Sequence, residues 1–273
     1  MGRKRFFEDK VCVVTGAGSG IGRATALTLA RQRARVHVVD IRGDRVESVC
    51  HEVGAGAVGH VVDCSDPAAT EVLAREVFAA EGRVDLLQNG AGVVVAAPLE
   101  RIPLEDWRWI VDHNLWSVVH GVRAFVPRML GQGGPRSHVV NIASAAGLVG
   151  MPLCTAYSAT KAAVVGLSEA LGAEVHGRGV SVHCICPGMV RSNLLADGRL
   201  ALPGAWGERL RWIHDHLGPG PEATVREILA AVRHDRPLVA PSVEFQGAWL
   251  LKRASAGAYN RVVRQLMRLG TSC

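Results

Sequence analysis

Val11 to Val14 is a short apolar run, followed at once by Thr15-Gly16-Ala17-Gly18-Ser19-Gly20-Ile21-Gly22 and then by a helical segment from Arg23 to Gln32. A buried strand, a glycine turn and a helix start, in that order, constrain the fold more than anything else in the chain. Backbone N–H groups at such a helix start form an anion site, so the turn is a candidate cradle for a dinucleotide's phosphates. Gly16 permits the tight turn, Gly20 a close approach of backbone to pyrophosphate, and Gly22 close packing of helix on strand. A second apolar run, Val36 to Val39, ends in Asp40. That position lies about 20 residues past the glycines, where a carboxylate can bind a ribose diol.

Short apolar runs alternate with helical patterns for most of the length. Strands are expected near 10–14, 35–40, 57–62, 84–88, 137–142 and 180–186, with a short last one near 237–240. Helices are expected near 20–32, 43–53, 67–81, 104–130, 155–176 and 222–234. Such alternation predicts an α/β chain: a single doubly wound Rossmann-type domain spanning 1–273, its mostly parallel seven-stranded sheet covered by helices on both faces. Ligands then sit at the carboxyl ends of the strands. The stretch 189–221 breaks the rhythm with Pro203, Gly204, Gly218, Pro219, Gly220 and Pro221 and an amphipathic piece around Leu210, Trp212, Ile213 and Leu217. It is expected to form a lid over the substrate.

With 48% hydrophobic residues among 273, the chain can bury a sizeable core. No apolar run approaches the roughly 18 residues that span a bilayer, and the basic stretch Met1 to Lys10 is not followed by the apolar region of a secretory signal. The seven cysteines are scattered, without zinc-type spacing, so no metal site is expected. Core thiols in a reducing cytoplasm are the expectation. The net charge of +6 is concentrated in the tail, 245–273, which has Lys252, Arg253, Arg261, Arg264 and Arg268 and no acid. A nearly neutral body gives no support for nucleic-acid binding. Tyr259, Val262, Val263 and Leu266 share one helical face in that tail. A helix packed on protein is preferred there over one lying on an anionic membrane.

Ser144, Tyr157 and Lys161 are the candidate catalytic group. Tyr157 and Lys161 stand at i and i+4, on one face of a helix. A phenol ionises near 10, and a neighbouring ammonium is expected to draw it towards working pH. Ser144 can donate a hydrogen bond to an oxygen on which charge develops.

Together these residues resemble the short-chain dehydrogenase/reductases, in their single-domain classical branch, from about Phe7 to Pro241. Thr15 to Gly22 is similar to the TGxxxGxG loop of that family, Asp63 to its adenine-binding acid, and Asn89-Gly90-Ala91-Gly92 to its NNAG segment. Asn114 is similar to the fourth catalytic residue, and Pro187-Gly188 with Ser192 to PGxxxT. Gly90 in place of asparagine and Ser192 in place of threonine are the departures. The resemblance implies catalytic roles for Ser144, Tyr157, Lys161 and Asn114, the last holding a water that links Lys161 to solvent. It implies a cofactor shell of Gly16, Ser19, Gly20, Ile21, Asp40, Ile41, Asp63, Cys64, Asn89, Ala91, Tyr157, Lys161, Pro187, Gly188, Val190 and Ser192.

Asp40 would repel the 2′-phosphate of NADP and accept from the 2′-hydroxyl of NAD, so NAD is expected, with Arg42 as the argument for NADP. A pocket walled by Val93, Val94, Val95, Leu148, Val149, Met151, Leu153, Cys154, Met189, Leu194 and Leu195, with Trp206 and Trp212 further out, implies a hydrophobic secondary alcohol or its ketone: steroid-, lipid-, terpenoid- or polyketide-like. Trp107, Trp109, Trp116 and Phe125 are expected to offer apolar surface to a homodimer or homotetramer. The rival functions are an NADP-dependent ketone reductase, a dehydratase or epimerase using NAD transiently, and a non-catalytic NAD-binding scaffold.

Overall fold

Val13 and Val14 point to opposite sides of the first strand and both are fully buried, as a strand covered on two faces requires. The computed structural model describes residues 5–270 except 203, 205–206, 209–211, 213, 215, 217 and 241–242; side chains of 243–244 and 266–270 are likewise outside the description. Strands β1 (Val11–Thr15), β2 (Arg35–Asp40), β3 (Ala57–Val61), β4 (Leu86–Asn89), β6 (Ser137–Ile142), β7 (Val180–Ile185) and β9 (Leu238–Val239) form one sheet in the order β3-β2-β1-β4-β6-β7-β9. Every pairing in it is parallel. The strand order reverses between β1 and β4, which opens a crevice at their carboxyl ends.

Helices α1 (Gly20–Arg31) and α2 (Gly43–Val53) pack on one face. Helices α3 (Pro67–Glu81), α5 (Ser117–Gly131) and α7 (Thr155–Glu174) pack on the other. The helix Pro221–Arg233, here α8, joins α1 and α2 through Val225, Ile228 and Leu229. Asp66 caps α3 by accepting from Ala68 N (2.8 Å) and Ala69 N (3.3 Å), Pro67 opens the helix, and left-handed Gly82 ends it.

Three features depart from expectation. The segment 104–130 is not one helix: α4 (Leu104–Val111) and α5 are joined by a π-helical turn, Asp112–Trp116. The extra residue turns Asn114 fully inward, a rotation that apolar periodicity does not report. A separate two-stranded pairing of β5 (Val95–Ala96) with β8 (Arg199–Leu200) ties the stretch after β7 back to the body. The tail forms two helices, α9 (Val243–Ala254) and α10 (Ala256–Gly270), broken at Ser255. Tyr259 is buried and donates to the Gly150 carbonyl (2.9 Å), while Lys252 donates to the Leu148 carbonyl (2.7 Å). The tail thus packs on its own chain, beside the loop that follows Ser144. No helix among the described residues is long and apolar enough to cross a membrane.

Two histidine pairs sit inside the sheet. His183 donates from Nδ1 to the Arg236 carbonyl (2.8 Å), so its Nε2 accepts from His138 Nδ1 (3.0 Å). A proton added to His183 Nε2 would face that N–H directly. Burial pushes His138 down to about 4 and lowers His183 as well. The unfolded chain therefore binds these protons first, and stability falls as pH drops below about 6.5. His138 alone is expected to remove roughly 3 kcal/mol by pH 4. Urea unfolding at stepped pH checks this: the decline between pH 6.5 and 4.5 should be shallower in His138→Leu.

Candidate active site

The turn between β1 and α1 is held against the loop after β4. Gly16 has φ 64°, and a Cβ there would lie 2.7 Å from Ala91 N. Thr15 Oγ1 accepts from Gly90 N (3.0 Å) and Ala91 N (3.4 Å). A Cβ on Gly90 would meet the Thr15 carbonyl at 2.7 Å, so the departure from NNAG suits this close approach. A Cβ on Gly20 would strike Ser192 Cβ at 2.6 Å. The residues thus form a narrow groove with its backbone exposed. Such a cradle fits a pyrophosphate, and Asp40 at its far end fits a ribose diol.

That groove belongs to a cleft of about 390 Å³ which also contains the candidate catalytic group. Gly16, Ser19, Gly20, Ile21, Asp40, Ile41, Asp63, Cys64 and Ala91 line one part of it. Ser144, Tyr157, Lys161, Pro187, Gly188, Val190 and Ser192 line the rest. Asp63 accepts from Ser65 N (2.9 Å) and Ser65 Oγ (2.7 Å), which fixes its carboxylate at the rim.

Ser144 lies two residues beyond the end of β6 and caps the short helix α6 (Ala145–Leu148), accepting from Ala146 N (3.1 Å). Its hydroxyl hydrogen is not used by that cap, and Ser144 lines the same cleft as Tyr157. Burial pushes the Tyr157 phenol up to about 12, and Ser144 opposes that rise. Lys161 Nζ lies 5.8 Å from the Tyr157 ring centroid and donates to the Ile142 carbonyl (2.9 Å). Burial lowers Lys161 to about 8, while Cys184 and Cys186 work in the opposite direction. The expected lowering of the phenol by Lys161 is therefore not what this geometry gives: desolvation dominates, and the opposing partner is Ser144.

Asn114 and Asn89 lie outside the cleft wall. Asn114 Oδ1 accepts from Val93 N (2.7 Å), while its Nδ2 donates to the Val93 carbonyl (2.9 Å) and Thr160 Oγ1 (3.2 Å). It clamps the loop after β4 to α7, one residue from Lys161. Asn89 is buried and donates to Asn141 Oδ1 (2.8 Å); its side chain bridges β4 to β6 and does not reach the groove. Strand alternation places it there, a fact the NNAG resemblance obscured.

Of the expected pocket wall, Val93 and Leu194 line this cleft, whereas Val94, Val95 and Val149 are buried in packing. Trp109 and His113 line it unexpectedly. They stand one helical turn apart, with His113 Nδ1 donating to the Trp109 carbonyl (2.8 Å), and the helical spacing was the available signal. Arg199 stacks on Trp109 at 4.1 Å. Phe125 is buried against Phe78 (6.2 Å) and so offers no surface to a partner, whereas Trp116 remains 46% exposed. In 189–221, Pro203, Trp206, Leu210, Ile213 and Leu217 lie outside the described residues. Trp212 is described, exposed and stacked on His216. Among the described residues no group of His, Cys, Asp or Glu could hold a metal ion.

A family model described as short chain dehydrogenase matches residues 10–201. The chain belongs to the short-chain dehydrogenase family, whose members bind NAD(P) and interconvert alcohols and carbonyls. It is 40% identical over 188 residues to 1-deoxy-11-beta-hydroxypentalenate dehydrogenase of Streptomyces avermitilis, covering 67% of this chain and 69% of that one. It is 35% identical over 254 residues to the oxidoreductase EphD of Mycobacterium tuberculosis, covering 88% of this chain but 43% of EphD, so it spans less than half of that relative. Among solved structures, a short-chain dehydrogenase/reductase from Burkholderia phymatum in complex with NAD is similar at TM-score 0.86 and 30% identity, covering 92% of this chain and 95% of that one.

The close approach at Gly16 makes a direct prediction. Gly16→Ala combines a left-handed backbone with a backbone contact that cannot yield, at a cost on the order of 1–3 kcal/mol. Its melting temperature should drop by several degrees, whereas Gly131→Ala, whose Cβ would meet nothing within 4 Å, should leave it unchanged.

Proposed function

We propose that the chain is an NAD-dependent dehydrogenase that interconverts a hydrophobic secondary alcohol and its ketone, with Tyr157 as the proton donor and acceptor. The observation that carries this reading is a single cleft lined by the glycine turn, Asp40, Ser144, Tyr157 and Lys161 together.

The bound nicotinamide supplies or accepts the hydride. Everything else falls to the chain's own residues. Tyr157 is a phenol at neutral pH, so it can protonate a carbonyl oxygen during reduction and must lose its proton before it can serve oxidation. Ser144 orients the same oxygen by donating to it. Lys161 remains largely cationic at pH 7 and is placed to hydrogen-bond the nicotinamide ribose. Asn114 holds the Val93 loop against α7 and so sets the spacing between cofactor groove and Tyr157.

NAD is favoured over NADP by how the nearby charges are paired. Asp40 accepts from Gly18 N (2.9 Å) and from Arg42 N (3.0 Å), while the Arg42 guanidinium is engaged by Asp44 through two 3.1 Å contacts. The arginine that argued for NADP is thus already neutralised. Val93 and Trp109 pack in one apolar cluster with Tyr157 and line the cleft, which suits a hydrophobic substrate. We also assign a homo-oligomer contact to the faces of α5 and α7, on the exposed Trp116. The scaffold alternative is disfavoured by the retained Tyr157 and Lys161, and the dehydratase or epimerase alternative by the classical-branch motifs.

Two measurements test this. Tyr157→Phe should reduce turnover about 10²–10⁴-fold while NADH affinity, read by fluorescence titration, stays within about threefold; a mutant of normal activity refutes the role. In the wild type, kcat/KM for alcohol oxidation should rise with pH above neutrality, because the base form of Tyr157 is scarce there. Ketone reduction should decline over the same range.

A further inference from the structure

A second arginine stands beside the ribose end of the groove. A Cβ on Gly18 would lie 2.7 Å from Arg45 Cβ and 2.8 Å from the Asp40 carboxyl carbon, so both side chains leave the same spot. Arg42, Arg45 and Asp197 line the cleft there together with Asp40. Arg45 does not face the groove as a free cation. Its Nη1 and Nη2 donate to the two carboxylate oxygens of Asp197 at 2.6 Å and 2.9 Å. Asp197 comes from the segment after β7, and its position is well fixed. Its N–H donates to the Asn193 carbonyl (2.8 Å), and two residues on, Arg199 enters β8, pairs with Asp106 and stacks on Trp109.

We propose that Asp197 is a cofactor-specificity residue: it holds the Arg45 guanidinium away from the ribose 2′ position and makes the groove selective for a dinucleotide with a free 2′-hydroxyl. This rests on the NAD reading and deepens it. Three carboxylates (Asp40, Asp44 and Asp197) face two guanidinium groups (Arg42 and Arg45), so the ribose end carries excess negative charge. A 2′-phosphate, with charge near −2, is repelled by such a set. Removing Asp197 leaves two acids against two bases and frees a planar, five-donor cation suited to phosphate. The preference for NAD is thus shared between Asp40 and a carboxylate more than 150 residues further along the chain.

The test is direct titration of the full chain with NADH and with NADPH, followed by calorimetry or nicotinamide fluorescence, so that no substrate is needed. Wild type should bind NADH more tightly. Asp197→Ala should gain roughly tenfold in NADPH affinity with NADH affinity within about threefold. The gain should vanish in Arg45→Ala/Asp197→Ala. If Asp197→Ala moves both affinities by the same factor, or the gain survives in the double variant, the role of Asp197 is overturned while the NAD reading stands. A wild type that binds NADPH as well as NADH overturns the NAD reading, and this assignment with it.

Discussion

The contact between Gly16 and the Gly90-Ala91 backbone is the constraint on which the rest of the site depends. Two loops from neighbouring strands approach so closely that neither Gly16 nor Gly90 can carry a side chain. Thr15 Oγ1 secures the approach by accepting from both N–H groups of the second loop. From there the connection continues through Val93 to Asn114, through Asn114 to Thr160, and so to the helix that bears Tyr157 and Lys161. The glycine-turn groove and the helix bearing Tyr157 and Lys161 are thereby tied into one frame. Such a frame is what a hydride transfer needs, because it depends on reacting atoms placed within a few tenths of an ångström.

The protonation state of that group follows from burial more than from charge. Desolvation raises the phenol and lowers the ammonium, so at neutral pH both hold their protons. The site is poised as an acid. In this geometry the Ser144 oxygen caps α6 while its hydroxyl hydrogen stays available within the cleft that Tyr157 lines.

Much of this was legible in the sequence, and the remainder was hidden for identifiable reasons. Buried parallel strands read as continuous apolar runs, so all seven main strands fell where expected, β2 and β6 to the residue. The glycine turn, Asp40 and the Tyr157/Lys161 spacing are local patterns and were equally visible. What periodicity could not reveal was the π-helical turn, since one extra residue inside a helix leaves the apolar pattern nearly intact. The two-residue pairing of β5 with β8 lies outside the alternation of apolar runs and helices and was not legible from it. The Asn89 side chain turns to Asn141, and a motif match does not report which way a strand residue points. Arg45 with Asp197, and His138 with His183, are contacts between distant segments that only the fold brings together.

The central claim is that one dinucleotide spans the cleft from Asp40 to Tyr157. A crystal structure of the chain soaked with NAD tests it most directly. The adenosine ribose diol is expected on the Asp40 carboxylate, and the nicotinamide end within hydrogen-bonding reach of Tyr157 and Lys161. A dinucleotide bound in the reverse direction, or one whose nicotinamide lies away from Tyr157, would contradict it.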